Sequence, residues 1–387
     1  MVMSCSEWIR SRILIMKKLI LAAAVYLVPY NDSCISAQSE TKSAIEIVSS
    51  FSEERPSNIA ISPEGRIFVT MSAEGKTQFL VREILPDGKT LSFPDESWIR
   101  KPAGNSIKGI NSAIGIQVSS DNILWVMDMG NTGANPKQAP KLIGWDIKTR
   151  KLSHVYVLPD AVLRPSSFLQ DFIIDEKHQT AVIADMTMGG MVLPASPALV
   201  VIDLKTGYSR RVLENHVSFQ PVDEPVIVNG RAISHQFSDG KKYEPRYPLN
   251  PISIDPERSW IYYGALGGNK IYRIAAEAIA DEELERGDLE KKIEYYAPKP
   301  KSDGFKVGAE GRIYVTDVEH NAIGISTPDQ YTILAQDHQL FSWPDGVAIS
   351  PDGYIYVVSD QLQNKPWWNN NRNVSQPPYY VLRVKIK

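Results

Sequence analysis

The chain has 387 residues, 43% hydrophobic and 22% charged, with a net charge of −3. This is an ordinary soluble composition, long enough for two domains or for one large all-β domain. No basic patch stands out, which argues against a nucleic-acid partner.

The chain opens on a leader. Met16-Lys17-Lys18 is a basic start, Leu19 to Val28 is an apolar run of ten, and small residues follow to Ala37. Residues 1–37 therefore read as a secretory signal peptide, with 1–15 as an upstream start-site extension, and the protein is expected to be secreted or periplasmic. The run is too short to span a membrane comfortably, and no other segment could cross one. Both cysteines, Cys5 and Cys34, fall in the leader. The rest of the chain is then without a disulfide, a zinc-thiolate site or a cysteine nucleophile. Tyr30-Asn31-Asp32-Ser33 is too polar to make Cys34 a lipid acceptor.

Residues 43–387 read as one repeat domain. After a strand over Ile45 to Phe51, a strand, a tight turn and a second strand recur six times. The copies are Ser57 to Met71, Ala113 to Asp128, Gln170 to Asp185, Asn250 to Ala265, Ser302 to Asp317 and Trp343 to Asp360. Each alternates apolar and polar residues, as in Ile355-Tyr356-Val357, and turns such as Pro351-Asp352-Gly353 place a glycine where φ must be positive. The residue opening the core of each second strand is Phe68, Trp125, Val182, Tyr262, Tyr314 or Tyr356, at intervals of 42 to 80 residues. That spacing predicts an all-β fold, a six-bladed β-propeller, with extra length in loops. Leu142 to Leu158 and Ala198 to Glu214 read as pairs of outer strands. Ile271 to Gly287 breaks the pattern and predicts a short helical decoration on the fourth blade. Val228 to Arg246 is a polar insertion, either a surface loop or a lid over the channel, and Pro366 to Pro378 reads as a loop. The strand Tyr379 to Ile386 is expected to share a blade with the other terminus.

Strand direction turns the repeat into a map. The start of each first strand and the end of each second lie at one mouth of the channel. The starts carry Ser57, Asn58, Gln170, Asp171, Asn250, Asp303 and Asp345, and the ends carry Asp128, Asp185, Asp317 and Asp360. Carboxylates and amides gathered this way raise one another's pKa or recruit a cation, and oxygen ligands favour Ca2+ or Mg2+. Asp128, Asp185 and Asp317 have a second reading, as caps on backbone N–H groups of neighbouring loops. The expected ligand-binding set is thus Asn58, Gln170, Asp171, Asn250, Asp128, Asp185, Asp317 and Trp343. Asn250, Asp303 and Asp171 are the candidate metal ligands. If the protein is an enzyme, Asp303, Asp345 and His235 are its candidate acid–base groups. Trp343 and the Trp367-Trp368 pair could stack on an aromatic or cationic ligand, or fill a core. Met186, Met188 and Met191 could line a pocket. The six histidines show no paired metal spacing, and no phosphate-binding loop, G-x-G-x-x-G or nucleophile elbow is present.

From about Ser43 onward the chain resembles the major royal jelly protein and yellow family. Leu124-Trp125-Val126-Met127-Asp128-Met129-Gly130 is similar to that family's LWVLD-x-G, and Gln170 to Asp175 followed by Ala184-Asp185 to its NDIVVD and AD. Arg211 to His216, Ile261-Tyr262-Tyr263, Lys270 to Ile274, Ser302-Asp303-Gly304, Trp343-Pro344-Asp345 and Ser359 to Leu362 keep the family order. The resemblance implies an extracellular six-bladed propeller. Family members include pigmentation-related proteins, proposed dopachrome-converting enzymes and binders of small aromatic amines. The lack of cysteine beyond the leader suggests a bacterial-type member, for which the sequon Asn373-Val374-Ser375 means little.

More distantly, Asp303-Gly304 and Pro344-Asp345-Gly346 resemble the calcium-dependent lactonases of the gluconolactonase and regucalcin kind. Those hold an axial divalent ion with Glu, Asn, Asn and Asp. Asn250 matches one Asn, Gln170 with Asp171 stands at another, and Arg55-Pro56-Ser57-Asn58 stands where the first-blade Glu belongs. The leading expectation is a small-molecule binder, for an aromatic, amine-bearing or sugar-derived ligand at the channel mouth. Its rivals are a metal-dependent lactonase, with Asp303 activating water, and a dopachrome-type tautomerase.

Overall fold

A computed structural model describes residues 44–386, apart from 74–76, 78, 103–105, 132–136 and 188–194. The signal-peptide reading, both cysteines, Met188 and Met191 lie outside the described residues. Six antiparallel four-stranded sheets follow one another around an axis, with strands pairing in chain order in blades 1 to 5 and the N-terminal strand completing blade 6. Blade 1 begins with Pro56–Ile61, blade 2 with Ala113–Val118, blade 3 with Leu169–Asp175, blade 4 with Leu249–Ile254, blade 5 with Phe305–Val307 and blade 6 with Pro344–Ile349. These innermost strands pack against one another around the axis. The expected helical decoration is the pair Ala276–Ala280 and Arg286–Glu290, on blade 4. Among the described residues no helix is long and apolar enough to cross a membrane.

The alternation of the repeat has a direct packing consequence. Side chains of successive residues leave opposite faces of a strand, so each blade presents an apolar face to both neighbours. Six cores result, one for each blade interface. Phe68 and Leu124 meet between blades 1 and 2, and Trp125 and Phe172 between 2 and 3. Val182 and Tyr263 share the next core, followed by Tyr262 with Phe305, Tyr314 with Ile355, and Tyr356 with Val69. The six residues that open the second-strand cores are 0–5% exposed.

A seventh apolar cluster sits on one mouth. The insertion after blade 3 forms two small hairpins, Ile227–Val228 with Arg231–Ala232 and His235–Gln236 with Lys242–Tyr243. Val228 and Ile233 pack there with Trp368, which belongs to the loop after blade 6. That loop is more ordered than its sequence suggests, with 3-10 turns at Leu362–Asn364 and Pro366–Trp368. The His235 ring stacks on Trp367 at 3.6 Å, and its Nδ1–H donates to the Trp367 carbonyl at 2.7 Å. Arg231 donates to the carbonyls of Trp368 and Gln363, both at 3.1 Å. The insertion and the C-terminal loop therefore form a joint roof.

The ring closes between the termini. Ile45–Phe51 is the outer strand of blade 6, paired with Tyr379–Lys385, which in turn pairs with Tyr354–Ser359. Arg55 reinforces the seam. Its guanidinium donates to the Asp360 carbonyl, to Ser375 Oγ and to the Tyr379 hydroxyl, and lies 4.6 Å from the Tyr379 ring. Phe51 is 6% exposed in the core between blades 6 and 1. Phe51→Ala should therefore cost about 3–5 kcal/mol of stability, read as a lower urea midpoint. A chain without residues 44–51 should also gain apparent mass on gel filtration, because the bared Tyr379–Lys385 edge invites self-pairing. An unchanged midpoint and a monodisperse peak would show that closure contributes nothing.

Candidate functional site

The innermost strands share an irregularity at their mouth end. The pairing register slips between Pro56 and Asn58, Ala113 and Ile116, Leu169 and Asp171, Leu249 and Ile252, and Pro344 and Val347. In blade 5 the ladder begins only at Phe305, just after Asp303-Gly304. A bulge bends its strand and re-aims side chains, and such bulges cluster beside functional sites. The residues at the five slips are Ser57, Ile114, Gln170, Asn250 and Asp345, and Asp303 holds the matching place in blade 5, one residue per blade.

Close packing at the axis requires this construction. A Cβ on Gly304 would meet the Asp345 carbonyl oxygen at 2.2 Å, and one on Gly346 would meet Asn58 Oδ1 at 2.3 Å. The Asp-Gly pairs of blades 5 and 6 thus place a carboxylate on the axis and let the next blade pass behind it.

Asp303 is the tie point. Its Oδ2 accepts the Trp343 indole N–H at 2.7 Å, and its Oδ1 accepts Gln170 Nε2 at 3.1 Å and Asn250 Nδ2 at 2.8 Å. Asn250 Nδ2 also donates to the Asp303 carbonyl at 2.8 Å, which fixes the amide orientation. Trp343 is fully buried with φ +58°, a strained left-handed conformation for so large a side chain, and this aims its N–H at the carboxylate. Burial pushes the Asp303 carboxyl up to about 7 against the lowering effect of the Trp343 bond, with Asp360 adding to the rise. The carboxyl of Asp345, 7% exposed, is likewise raised well above the usual carboxylate range, through burial first and then the charges of Asp303 and Asp360. Asp171 also rises to about 7 through burial, opposed by Lys306, whose own ammonium is driven down by burial. Asp171 Oδ1 and Asn58 Oδ1 each accept the N–H of the following residue, at 2.9 and 2.8 Å.

Above this floor opens a chamber of about 390 Å³, within the ~300–1,000 Å³ of small-molecule sites. Ser57, Gln170, Asp303 and Asp345 form its polar base, with Ile114 the apolar member of the ring. Phe168, Met186, Tyr247 and Leu266 line its walls, and Leu362, Lys365, Trp367 and Trp368 belong to the roof. Below the ring lies a narrow cavity of about 10 Å³, room for a single water-sized particle, lined among others by Asn58, Asp171, Asn250 and Lys306.

The structure thus brings together Asn58, Gln170, Asp171, Asn250, Asp303 and Asp345. Five other candidates make contacts of their own away from the chamber lining. Asp128 accepts the N–H groups of Asn111, Ser112 and Gly130, and pairs with Lys141 at 2.6 Å. Asp185 accepts from Phe168 N, Thr187 N and Ser167 Oγ, and pairs with Arg211 at 2.7 Å. Asp317 accepts from His320 and from the Tyr331 hydroxyl at 2.9 Å. All three are 0% exposed, and none lines the chamber. They pin the loops at the mouth, as capping carboxylates do. Trp343 holds Asp303 rather than facing the chamber, and His235 holds Trp367 in the roof and does not line the chamber. Sequence reasoning passed over Ile114, Phe168, Tyr247 and Lys365, which carry no motif.

A divalent ion fits these residues poorly. Both Asp303 oxygens already receive N–H donors, and the Asn250 and Gln170 amides present nitrogen to that carboxylate. Blade 1 supplies Ser57 in place of a carboxylate, and the described residues contain no group of three or more His, Cys, Asp or Glu suited to a metal. The Asn250 Oδ1 is buried without a partner, one acceptor left for a water or a ligand donor. The expected metal set Asn250, Asp303 and Asp171 is therefore not built as a coordination shell.

Comparison with known proteins agrees with this fold. The family profile "Major royal jelly protein" matches residues 111–387, and the chain belongs to that family. No curated protein sequence matches significantly. Among solved structures, a calcium-binding regucalcin from Agrobacterium tumefaciens is 14% identical and superposes with a TM-score of 0.53, over 89% of this chain and 96% of that one. A luciferin-regenerating enzyme gives 12% identity and 0.52, over 89% and 95%. A gluconolactonase from Xanthomonas campestris gives 9% and 0.53, over 89% and 90%. At such identities the likeness is one of fold.

The raised carboxyls set the pH dependence of stability. Each binds its proton more tightly in the folded chain than in the unfolded one, where an aspartate titrates near ~3.9. Their effect on stability is thus most favourable below that value and is lost as pH climbs towards about 7. Asp345→Asn should raise stability at pH 8 by ~1–3 kcal/mol and change little at pH 3.5, below the unfolded aspartate value. Urea titrations at both pH values check this; a loss of stability at pH 8 would mean that the charge of Asp345 is compensated in the fold.

Proposed function

We propose that this member of the major royal jelly protein family is an exported binding protein for a small aromatic amine, held in the mouth chamber. One observation carries the reading: acids lie beneath apolar and aromatic walls in one enclosed space. Asp303, Asp345 and Asp360 line the chamber against a single lysine, Lys365. A ligand ammonium against Asp303 and Asp345 compensates carboxylates whose ionisation burial otherwise opposes. Its ring gains from Phe168, Tyr247, Trp367 and Trp368, through burial and through cation–π attraction. A neutral sugar lactone offers no charge to this base. Export rests on the basic-apolar leader of the sequence.

Asp303 holds three donors, whereas Asp345 lines the chamber with a carboxyl whose proton affinity burial raises. This favours a second reading of the same site, a proton-shift isomerase on a quinone-type substrate. Asp345 would give its proton to a substrate oxygen while a neighbouring carboxylate took one from carbon, leaving the number of protons unchanged.

Isothermal calorimetry with tryptamine, dopamine and gluconolactone tests the binder. An amine should bind and the lactone should not. Affinity should rise about tenfold from pH 6 to pH 8, as a carboxyl near 7 gives up its proton. Asp345→Asn should weaken the amine by about tenfold or more. Absence of heat with every amine would end this reading. Decay of aminochrome absorbance that depends on Asp345 would favour the isomerase.

A further inference from the structure

The roof has an outer side with the opposite character. A groove of about 420 Å³ runs over it, lined only by residues of the insertion and of the loop after blade 6. Arg231, Lys242 and Arg372 line it, with the amides of Gln236, Asn369 and Asn370, and no carboxylate does so among the described residues. Lys242 is answered by Glu244 at 2.7 Å, which leaves two guanidinium groups in excess. Arg231 is already fixed, because two of its five N–H groups donate to the Trp368 and Gln363 carbonyls. Asn369 is fixed likewise, with Nδ2 on the carbonyls of Gln363 at 2.9 Å and Lys365 at 2.8 Å, so its oxygen is the free end of the amide. Asn370 and Asn371 both hold left-handed φ, 51° and 60°, a conformation asparagine adopts readily. Trp368 lines this groove and the inner chamber alike.

We infer that this groove is a second ligand site, for an oxyanion carried on a hydroxyl-bearing body such as a sugar acid or sugar phosphate. Guanidinium groups present paired N–H donors that match carboxylate and phosphate oxygens. Amides supply the mixed donors and acceptors that hydroxyls need. The two sites are then of opposite charge on the two sides of one tryptophan. An occupant bridging Arg231 on the insertion and Arg372 on the loop also ties the halves of the roof together.

The test uses the indole N–H signal of Trp368 in nitrogen-labelled protein at low salt, assigned with Trp368→Phe. Inorganic phosphate, galacturonate and glucose 6-phosphate are titrated, with glucose as the neutral control. Galacturonate or glucose 6-phosphate should shift the signal saturably and glucose should not. Arg372→Gln should weaken the effect about tenfold, and Arg372→Lys should restore part of it. Arg372 is exposed, so its variants keep the fold. Phosphate binding as tightly as glucose 6-phosphate would overturn the sugar body and leave an anion site. No shift with any anion, an equal shift with glucose, or full binding by Arg372→Gln would overturn the site altogether. The chamber ligand takes no part, so this outcome is independent of amine binding.

Discussion

Blades 3, 4 and 6 each send one N–H donor to the carboxylate of Asp303 on blade 5, so four of the six sheets meet in one hydrogen-bonded knot. Apolar contacts between neighbouring blades are non-directional and would tolerate some sliding. The knot is directional, and it fixes the height of those four inner strands at the axis. Its geometry depends on Trp343 adopting a backbone conformation that costs energy, and on glycines that admit the next blade within van der Waals reach. The polar floor, the raised carboxyls and the chamber above them all follow from this one arrangement.

The floor also shows how a repeat diverges. Each blade contributes one residue at the mouth end of its inner strand, at a bulge in five blades and just before the ladder in blade 5. The side chains are free to vary, and they do: serine, isoleucine, glutamine, asparagine and two aspartates. Chemistry is thereby confined to the rim while the six cores stay alike. The same rim carries Asp128, Asp185 and Asp317, which resemble site residues in type and position but are consumed in holding loops.

Much of this was legible in the sequence because periodicity reports which face of a strand is buried. Blade number, closure between the termini, the helical decoration on blade 4 and the mouth position of Asp303 and Asp345 follow from it. What was hidden depends on contacts distant in the chain. Nothing near Asp128 announces Lys141 as its partner, and nothing near Trp343 announces Asp303, forty residues away. Ile114 is a chamber residue only because its strand bulges, and an isolated isoleucine carries no such signal. His235 looks like a free loop histidine until the loop that buries it arrives from the far end of the chain.

The seam of blade 6 bears on synthesis. Ile45 pairs with Val384, so the first of the described strands waits for the last. Blades 1 to 5 can assemble while the chain is still being extended, but the ring stays an open arc with one unpaired edge until its final strand is released. A chain that crossed a membrane from its N-terminus would do so without a closed ring.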